Sequence, residues 1–237
     1  MTPQSWQSWE KRWSVMTDVK PLQLEKPSAF SLWLNALPIL HLASGFALAT
    51  GLCDTMGGRF WVLAAWIYLL PPLASRLMIM VAGRPEGQLT QDMPAYRVWW
   101  VLTQWQVLFN RLPWLEELLR LVPGLYALWI GLWGGHLSPF AYVGPRVLIT
   151  DRHAVHVGRG AVLGMKSILS GHLVLRDEAG RWLVLAAAPT VEPEAILGGD
   201  AKLGPGAVLR AGHMLPTGRF VRPFDEWPRR KAGVVDV

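Results

Sequence analysis

The stretch AILGGD-AKLGPG-AVLRAG-HMLPTG, Ala195 to Gly218, aligns with itself in sixes without a gap. Leu197, Leu203, Leu209 and Leu215 recur at every sixth residue, and Val221 extends the series. Two positions before each leucine stand Ala195, Ala201, Ala207 and His213; three after them stand Asp200, Gly206, Gly212 and Gly218. In extended chain, residues two apart face the same side. The aliphatic slot and the small slot therefore both point inward, and the residue between them points outward. The remaining three residues turn a corner, where glycine supplies backbone freedom. Short strands then pair with their equivalents in the next coil and the leucines stack in files, which is the logic of a β-solenoid. The outward slots hold Ile196, Lys202, Val208 and Met214, and their partly apolar character predicts a covered face.

The same period runs upstream. Val157, Leu163 and Leu169 occupy the aliphatic slot, with Val143, Ile149, Val155 and Ala161 in the slot two positions earlier. This register turns Asp151 inward. It is lost through HLVLRDEAGRWLVLAAAP and returns at Val191. Two apolar strands around Asp177-Glu178-Ala179-Gly180 predict a hairpin protruding over residues 173–188.

The rest of the chain has a different character. Half of the 237 residues are hydrophobic and 17% are charged, below the roughly 25% of an ordinary soluble protein. Fourteen tryptophans exceed what a core of this size needs, and indole is favoured where an apolar phase meets water. A net charge of +6 suits anionic lipid or nucleic acid. The apolar richness favours lipid, so nucleic acid is not an expected partner. The single cysteine, Cys53, excludes an internal disulfide and a cysteine-rich zinc site, and reads as an inert buried thiol. The first thirty residues hold no continuous apolar run of the kind a secretory signal requires.

Trp6, Trp9 and Trp13 share one helical face, which predicts an interfacial arm over 1–27. Residues 28–83 predict a membrane-embedded helical hairpin. Its apolar runs, 31–52 and 60–83, are long enough for about 30 Å of hydrocarbon. Pro71-Pro72 should kink or break the second run, so spanning and dipping both remain open. Lys11, Arg12, Lys20 and Lys26 before the hairpin, and Arg76, Arg84 and Arg97 late in it or after it, outweigh Arg59 in the link. The positive-inside rule then puts both ends on the cytoplasmic face of an inner membrane. The Trp-rich segment 84–136 predicts amphipathic helices along the membrane surface, followed by the solenoid over 137–223 and a basic tail over 224–237.

With these motifs in place, residues 143–222 resemble the hexapeptide-repeat acyltransferases. The order of helical hairpin, NRLPWLEELLRLVPGLYALWIGLWGG, DRHAVHVG and LSGH is similar to a membrane-associated branch of that superfamily. The resemblance implies an α+β chain, with N-terminal membrane helices followed by a left-handed parallel β-helix of three six-residue faces per coil. It also implies transfer of an acyl group from a coenzyme A or acyl carrier protein thioester to a hydroxyl or amine. With a membrane anchor, the acceptor becomes a lipid or lipid-linked molecule. The donor is a substrate, and no bound cofactor or metal is expected. A homotrimer and a solitary membrane-docked chain are both compatible with the family. The rival reading is a non-catalytic membrane-anchored β-helix scaffold that binds a partner protein or glycan.

Thioester-to-alcohol transfer needs a base near neutral pKa and a group to hold the developing oxyanion. His172 is the first candidate, standing at a corner immediately before the register breaks. His153, beside Asp151, is the second. A carboxylate turned inward requires a partner, and coil-to-coil stacking brings Asp151–His153 beside Leu169–Gly171. Asp151, Ser170, Gly171 and Arg176 are the expected substrate-binding residues, with the Gly171 N–H as an oxyanion donor. Arg176 and Arg181 either meet the donor's phosphates or solvate the hairpin. His156 and His213 read as structural.

Overall fold

A computed structural model describes residues 25–177 and 179–229. The predicted arm before residue 25 and the basic tail from residue 230 onward lie outside the described residues. The first described helices are α1 (Ala29–Leu34), α2 (Leu37–Leu52) and α3 (Met56–Ala82). Helix α1 is started by Ser28, whose hydroxyl accepts from the Ser31 N–H, and α3 by Thr55, which caps Gly58. The turn between α2 and α3 is short, and the two pack closely at Gly45, where a Cβ would lie 2.4 Å from the Trp66 ring. Both apolar segments, Ala29–Leu52 and Met56–Ala82, are long enough to cross a bilayer, and only 17% of the apolar 18-residue window in each is buried by the protein. A core helix of a soluble domain would be mostly covered. Here Phe46, Leu52, Phe60, Trp61, Leu77 and Val81 are exposed instead.

Helix α3 runs through Pro71 and Pro72 without breaking. Pro72 has no N–H to offer the Tyr68 carbonyl four residues back. Trp129 replaces it, donating its indole N–H to the Tyr68 oxygen at 2.8 Å. A neighbouring helix thus satisfies the backbone group that the proline orphans.

Three further helices, α4 (Pro94–Arg111), α5 (Trp114–Arg120) and α6 (Leu125–Trp133), lie between the hairpin and the solenoid. They are not simply a surface platform. Trp99, Trp129 and Trp133 are 2%, 3% and 0% exposed, so these indoles fill core rather than mark an interface. Together with Phe109 and Ile130, Trp129 and Trp133 close the open end of the first coil.

The solenoid has three parallel faces. The first is built by β2 (His136–Leu137), β5 (His156–Val157), β10 (Thr190–Val191), β13 (Val208–Leu209) and β16 (Glu226–Trp227). The second is built by β3 (Tyr142–Val143), β6 (Val162–Leu163), β11 (Ile196–Leu197) and β14 (Met214–Leu215). The third is built by β4 (Leu148–Ile149), β7 (Ile168–Leu169), β12 (Lys202–Leu203) and β15 (Phe220–Val221). The inward leucines and alanines of the repeat, Leu197, Leu203, Leu209, Ala195, Ala201 and Ala207, are all 0% exposed. Corner residues Asp200 and Gly206 take φ of 56° and 66°, the left-handed region that the sequence supplies with glycine at three of the four equivalent positions. The apolar outward residues Ile196 and Met214 are exposed, so nothing in the described chain covers that face. His213, expected inward, is exposed too, its Nδ1 in hydrogen-bond contact with the Ala211 carbonyl.

Between coils two and three, β8 (His172–Arg176) and β9 (Trp182–Ala186) form the expected hairpin. A short strand, β1 (Gly87–Leu89), extends it to three strands. The register upstream of Val157 departs from the sequence reading. Leu137 pairs with Val157, twenty residues on, whereas Val191 pairs with Leu209, eighteen residues on. Val143 and Ile149 therefore sit in the leucine file rather than the small slot. The two extra residues enlarge the corner between β4 and β5, and Asp151 lies in that corner rather than in an inward strand slot.

Candidate active site

The enlarged corner is buried: Asp151, Arg152 and His153 are 1%, 0% and 2% exposed. Three polar residues in a row can be placed there only if each finds partners. Helices α4 and α5 supply them. Glu116 forms an ion pair with Arg152, its Oε1 accepting from Nε at 2.5 Å, and Asn110 accepts from Nη1 at 2.9 Å. The second Glu116 oxygen accepts from Arg120 at 3.0 Å and from the Tyr126 hydroxyl at 2.7 Å. Burial, followed by the Glu116 charge, pushes the Tyr126 phenol well above its ordinary range, so it remains a donor. Gln106, fully buried, accepts from the Arg152 N–H at 2.6 Å, and its amide nitrogen lies 3.2 Å from His153 Nδ1.

Against this frame stands the next coil. Gly171 follows β7 and packs on Asp151 so closely that a Cβ would lie 2.7 Å from the Asp151 Cβ. Its N–H donates to Asp151 Oδ2 at 2.9 Å. The same oxygen accepts from the Thr150 hydroxyl at 2.6 Å and lies 2.8 Å from His172 Nδ1. Ser170 Oγ donates to the His172 carbonyl at 2.7 Å, and its oxygen lies 3.3 Å from Thr150 Oγ1. Trp99 on α4 meets the His172 ring edge-on, with centroids 5.3 Å apart.

Burial alone would push the Asp151 carboxyl up, but the His172 charge and hydrogen bond outweigh it and hold it down to about 2. For His172, desolvation opposes the charged ring, and the facing carboxylate more than compensates, raising its pKa. The Asp151 side chain is 1% exposed and that of His172 is 22% exposed. A buried carboxylate thus fixes Nδ1–H, while Nε2 makes no hydrogen bond among the described residues. Such a pairing leaves the second ring nitrogen able to take up a proton, which is what general-base chemistry requires.

His153 has the opposite environment. Burial is the main cause of its pKa falling to about 4; Asp151 opposes the fall, while Arg84 and His172 add to it. It is neutral at physiological pH, so its Nδ1 accepts from Gln106. Below pH 6.5 the unfolded chain takes up a proton that folded His153 refuses. Stability should therefore fall as pH drops from 6.5 to 4, by roughly 3 kcal/mol in total. A His153→Asn variant should lose this acid-sensitive component, which thermal unfolding across that pH range will measure.

The structure brings Asp151, His153, Ser170, Gly171 and His172 into one cluster. Gly171 differs from its expected role, since its N–H is already engaged by Asp151. Arg176 points elsewhere: its guanidinium stacks 3.5 Å from the Trp182 ring centroid and donates to the Gly180 carbonyl. Trp99, Gln106, Asn110 and Glu116 were not anticipated. The signal for the first three was present, because Tyr96, Trp99, Thr103, Gln106 and Asn110 follow a 3-4-3-4 spacing along one face of α4. Polar residues on the inward stripe of an otherwise apolar helix have to meet polar partners.

No protein-family model matches the chain, and no curated protein matches it. Solved structures similar to it include serine acetyltransferase 1 of Entamoeba histolytica in complex with L-cysteine, at 15% identity over 87% of this chain and 88% of that one, with a TM-score of 0.22. Isoform 3 from the same organism, in complex with cysteine, is 9% identical over 93% and 88%, with a TM-score of 0.22. Serine acetyltransferase of Neisseria gonorrhoeae in complex with serine is 15% identical over 87% and 85%, with a TM-score of 0.23. Similarity at this distance says nothing about the substrate of this chain.

Proposed function

We propose that the chain is a membrane-anchored acyltransferase with His172 as general base. The observation that carries the reading is the buried Asp151 carboxylate against His172 Nδ1 at 2.8 Å, with the other ring nitrogen unengaged. The hexapeptide-repeat resemblance supplies the reaction class, and the two largely uncovered apolar helices support a membrane-resident acceptor. In the reaction, His172 Nε2 takes the proton from the acceptor hydroxyl or amine as its oxygen or nitrogen attacks the thioester carbonyl. The carbonyl becomes a tetrahedral oxyanion. Its collapse breaks the carbon–sulfur bond, and the imidazolium returns the proton to the departing thiolate. Asp151 holds the required tautomer and stabilises the transient imidazolium.

The base must be neutral to act, and its pKa is raised by Asp151. The limb of kcat/KM should therefore rise with pH through a value above 6.5. In Asp151→Asn the charge that raises it is gone, so the limb should move to lower pH while the maximal rate falls. An unmoved limb would assign the titration to another group. The reading itself is tested by incubating the protein with acyl thioesters and a membrane lipid extract, followed by mass spectrometry of the lipids. Absence of any acyl mass shift would favour the scaffold.

A further inference from the structure

The Asp151–His172 pair accounts for the proton, but not for what holds the acyl group. Beside it lies a recessed cavity of about 260 Å³ whose wall includes Ser31, Tyr96, Trp99, Trp100, Val174 and Trp182. The cavity belongs to neither solenoid nor hairpin alone; α1, α4 and the β8–β9 excursion enclose it together. Its wall is continuous with the candidate site. Trp99 lines the cavity and also touches the His172 ring. His172 and Val174 are two apart on β8 and so share one face of the sheet, paired across to Ala186 and Val184.

Two buried polar groups near this junction lack partners. Trp99 is 2% exposed and its indole N–H has no hydrogen bond among the described residues, and the Thr103 hydroxyl one turn along α4 is buried without a partner among them. Unsatisfied buried groups are costly and uncommon. Both atoms are shielded from the cavity space, so the cavity offers a ligand apolar contact and ends beside His172, which fits a hydrocarbon chain with a reacting carbonyl at its end.

We propose that this cavity holds the hydrocarbon chain of the donor's acyl group, with the thioester carbonyl at the Trp99 end, beside His172. The assignment rests on the acyl-transfer reading and adds the length of the group transferred. An apolar cavity of about 150 Å³ takes one benzene, so 260 Å³ corresponds to a chain of about ten carbons. That is more than an acetyl group needs and less than the paired long tails of a bilayer lipid occupy.

The test uses the full-length protein in detergent with acetyl, decanoyl and palmitoyl thioesters, together with decanoyl-pantetheine carrying a terminal diazirine. Decanoyl transfer should be the fastest, and photolabel should map to Tyr96, Trp100, Val174 or Trp182. Val174 is 39% exposed, so a larger side chain can enter the cavity from its rim. Val174→Trp should lower kcat/KM for the decanoyl thioester, relative to the acetyl thioester, by about tenfold. Acetyl transfer as fast as decanoyl transfer, with label elsewhere, overturns the cavity assignment and leaves the acyl-transfer reading standing. Label in the cavity without turnover of any thioester supports the cavity and removes that reading. A Val174→Trp effect on saturation by the lipid acceptor alone assigns the cavity to an acceptor tail and overturns the proposal. Should that variant fail to fold, the label map on the wild-type protein decides.

Discussion

Replacing His172 with alanine is expected to lower kcat for acyl transfer by about 10²–10⁴-fold, the usual contribution of a positioned general base. The fold should be retained. The ring lies at the edge of the hairpin with 22% of its side chain exposed, and its loss removes no member of the solenoid core. Asp151 would keep the Gly171 N–H and the Thr150 hydroxyl as partners, so the carboxylate is not stranded. Circular dichroism and retention in detergent-extracted membranes will establish that the protein is intact. Single-turnover acyl transfer then separates chemistry from binding. A His172→Ala protein as fast as the wild type would remove His172 from the mechanism and with it the role of Asp151.

The largest effect on stability is expected at Glu116. This side chain is 2% exposed and is the carboxylate partner of Arg152, which is 0% exposed. Neutralising one member of a buried pair leaves the other charge without compensation and costs about 3–5 kcal/mol. The Arg152 guanidinium would retain Asn110 and its position over the Phe109 and Trp129 rings, with no carboxylate beside it. Glu116→Gln should therefore lower the unfolding midpoint sharply in thermal or chemical denaturation. Glu116→Leu combined with Arg152→Met removes both charges and should recover part of the loss, since apolar replacements of buried pairs are often neutral or better, while Arg120 and the Tyr126 hydroxyl still lose a partner. A single-variant change of less than about 1 kcal/mol would show that the pair is not buried as described.

The solenoid was legible because its signal repeats. Each inward aliphatic residue from Val191 to Val221 obeys the same six-residue rule, and a two-residue β period leaves little freedom in which face it presents. The hairpin was legible as a break in that rule bounded by apolar strands. The enlarged corner was not. An insertion of two residues preserves the alternation of inward and outward positions, so Val143 and Ile149 fit the small-residue slot as well as the leucine file. Only the coil-to-coil pairing, as of Ile149 with Leu169 twenty residues on, reveals the added length. The tryptophans misled in a related way. Amphipathic indole suits both an interface and an irregular junction, and composition cannot say that Trp129 caps the carbonyl freed by Pro72.

By itself, then, the sequence determined the repeat, the position of its interruption and the apolar length of the two N-terminal helices. Each is a local pattern read at a fixed spacing. Tertiary structure alone decided which polar residues meet. Gln106 and Glu116 reach Arg152 and His153 from helices some forty residues away in the chain, and Asp151 reaches His172 on the next coil. These contacts depend on how α4 and α5 seat against the end of the solenoid. That seating is set by the packing of Phe109, Trp129 and Trp133 and by the need to satisfy each buried charge, and neither leaves a spacing that can be read along the chain.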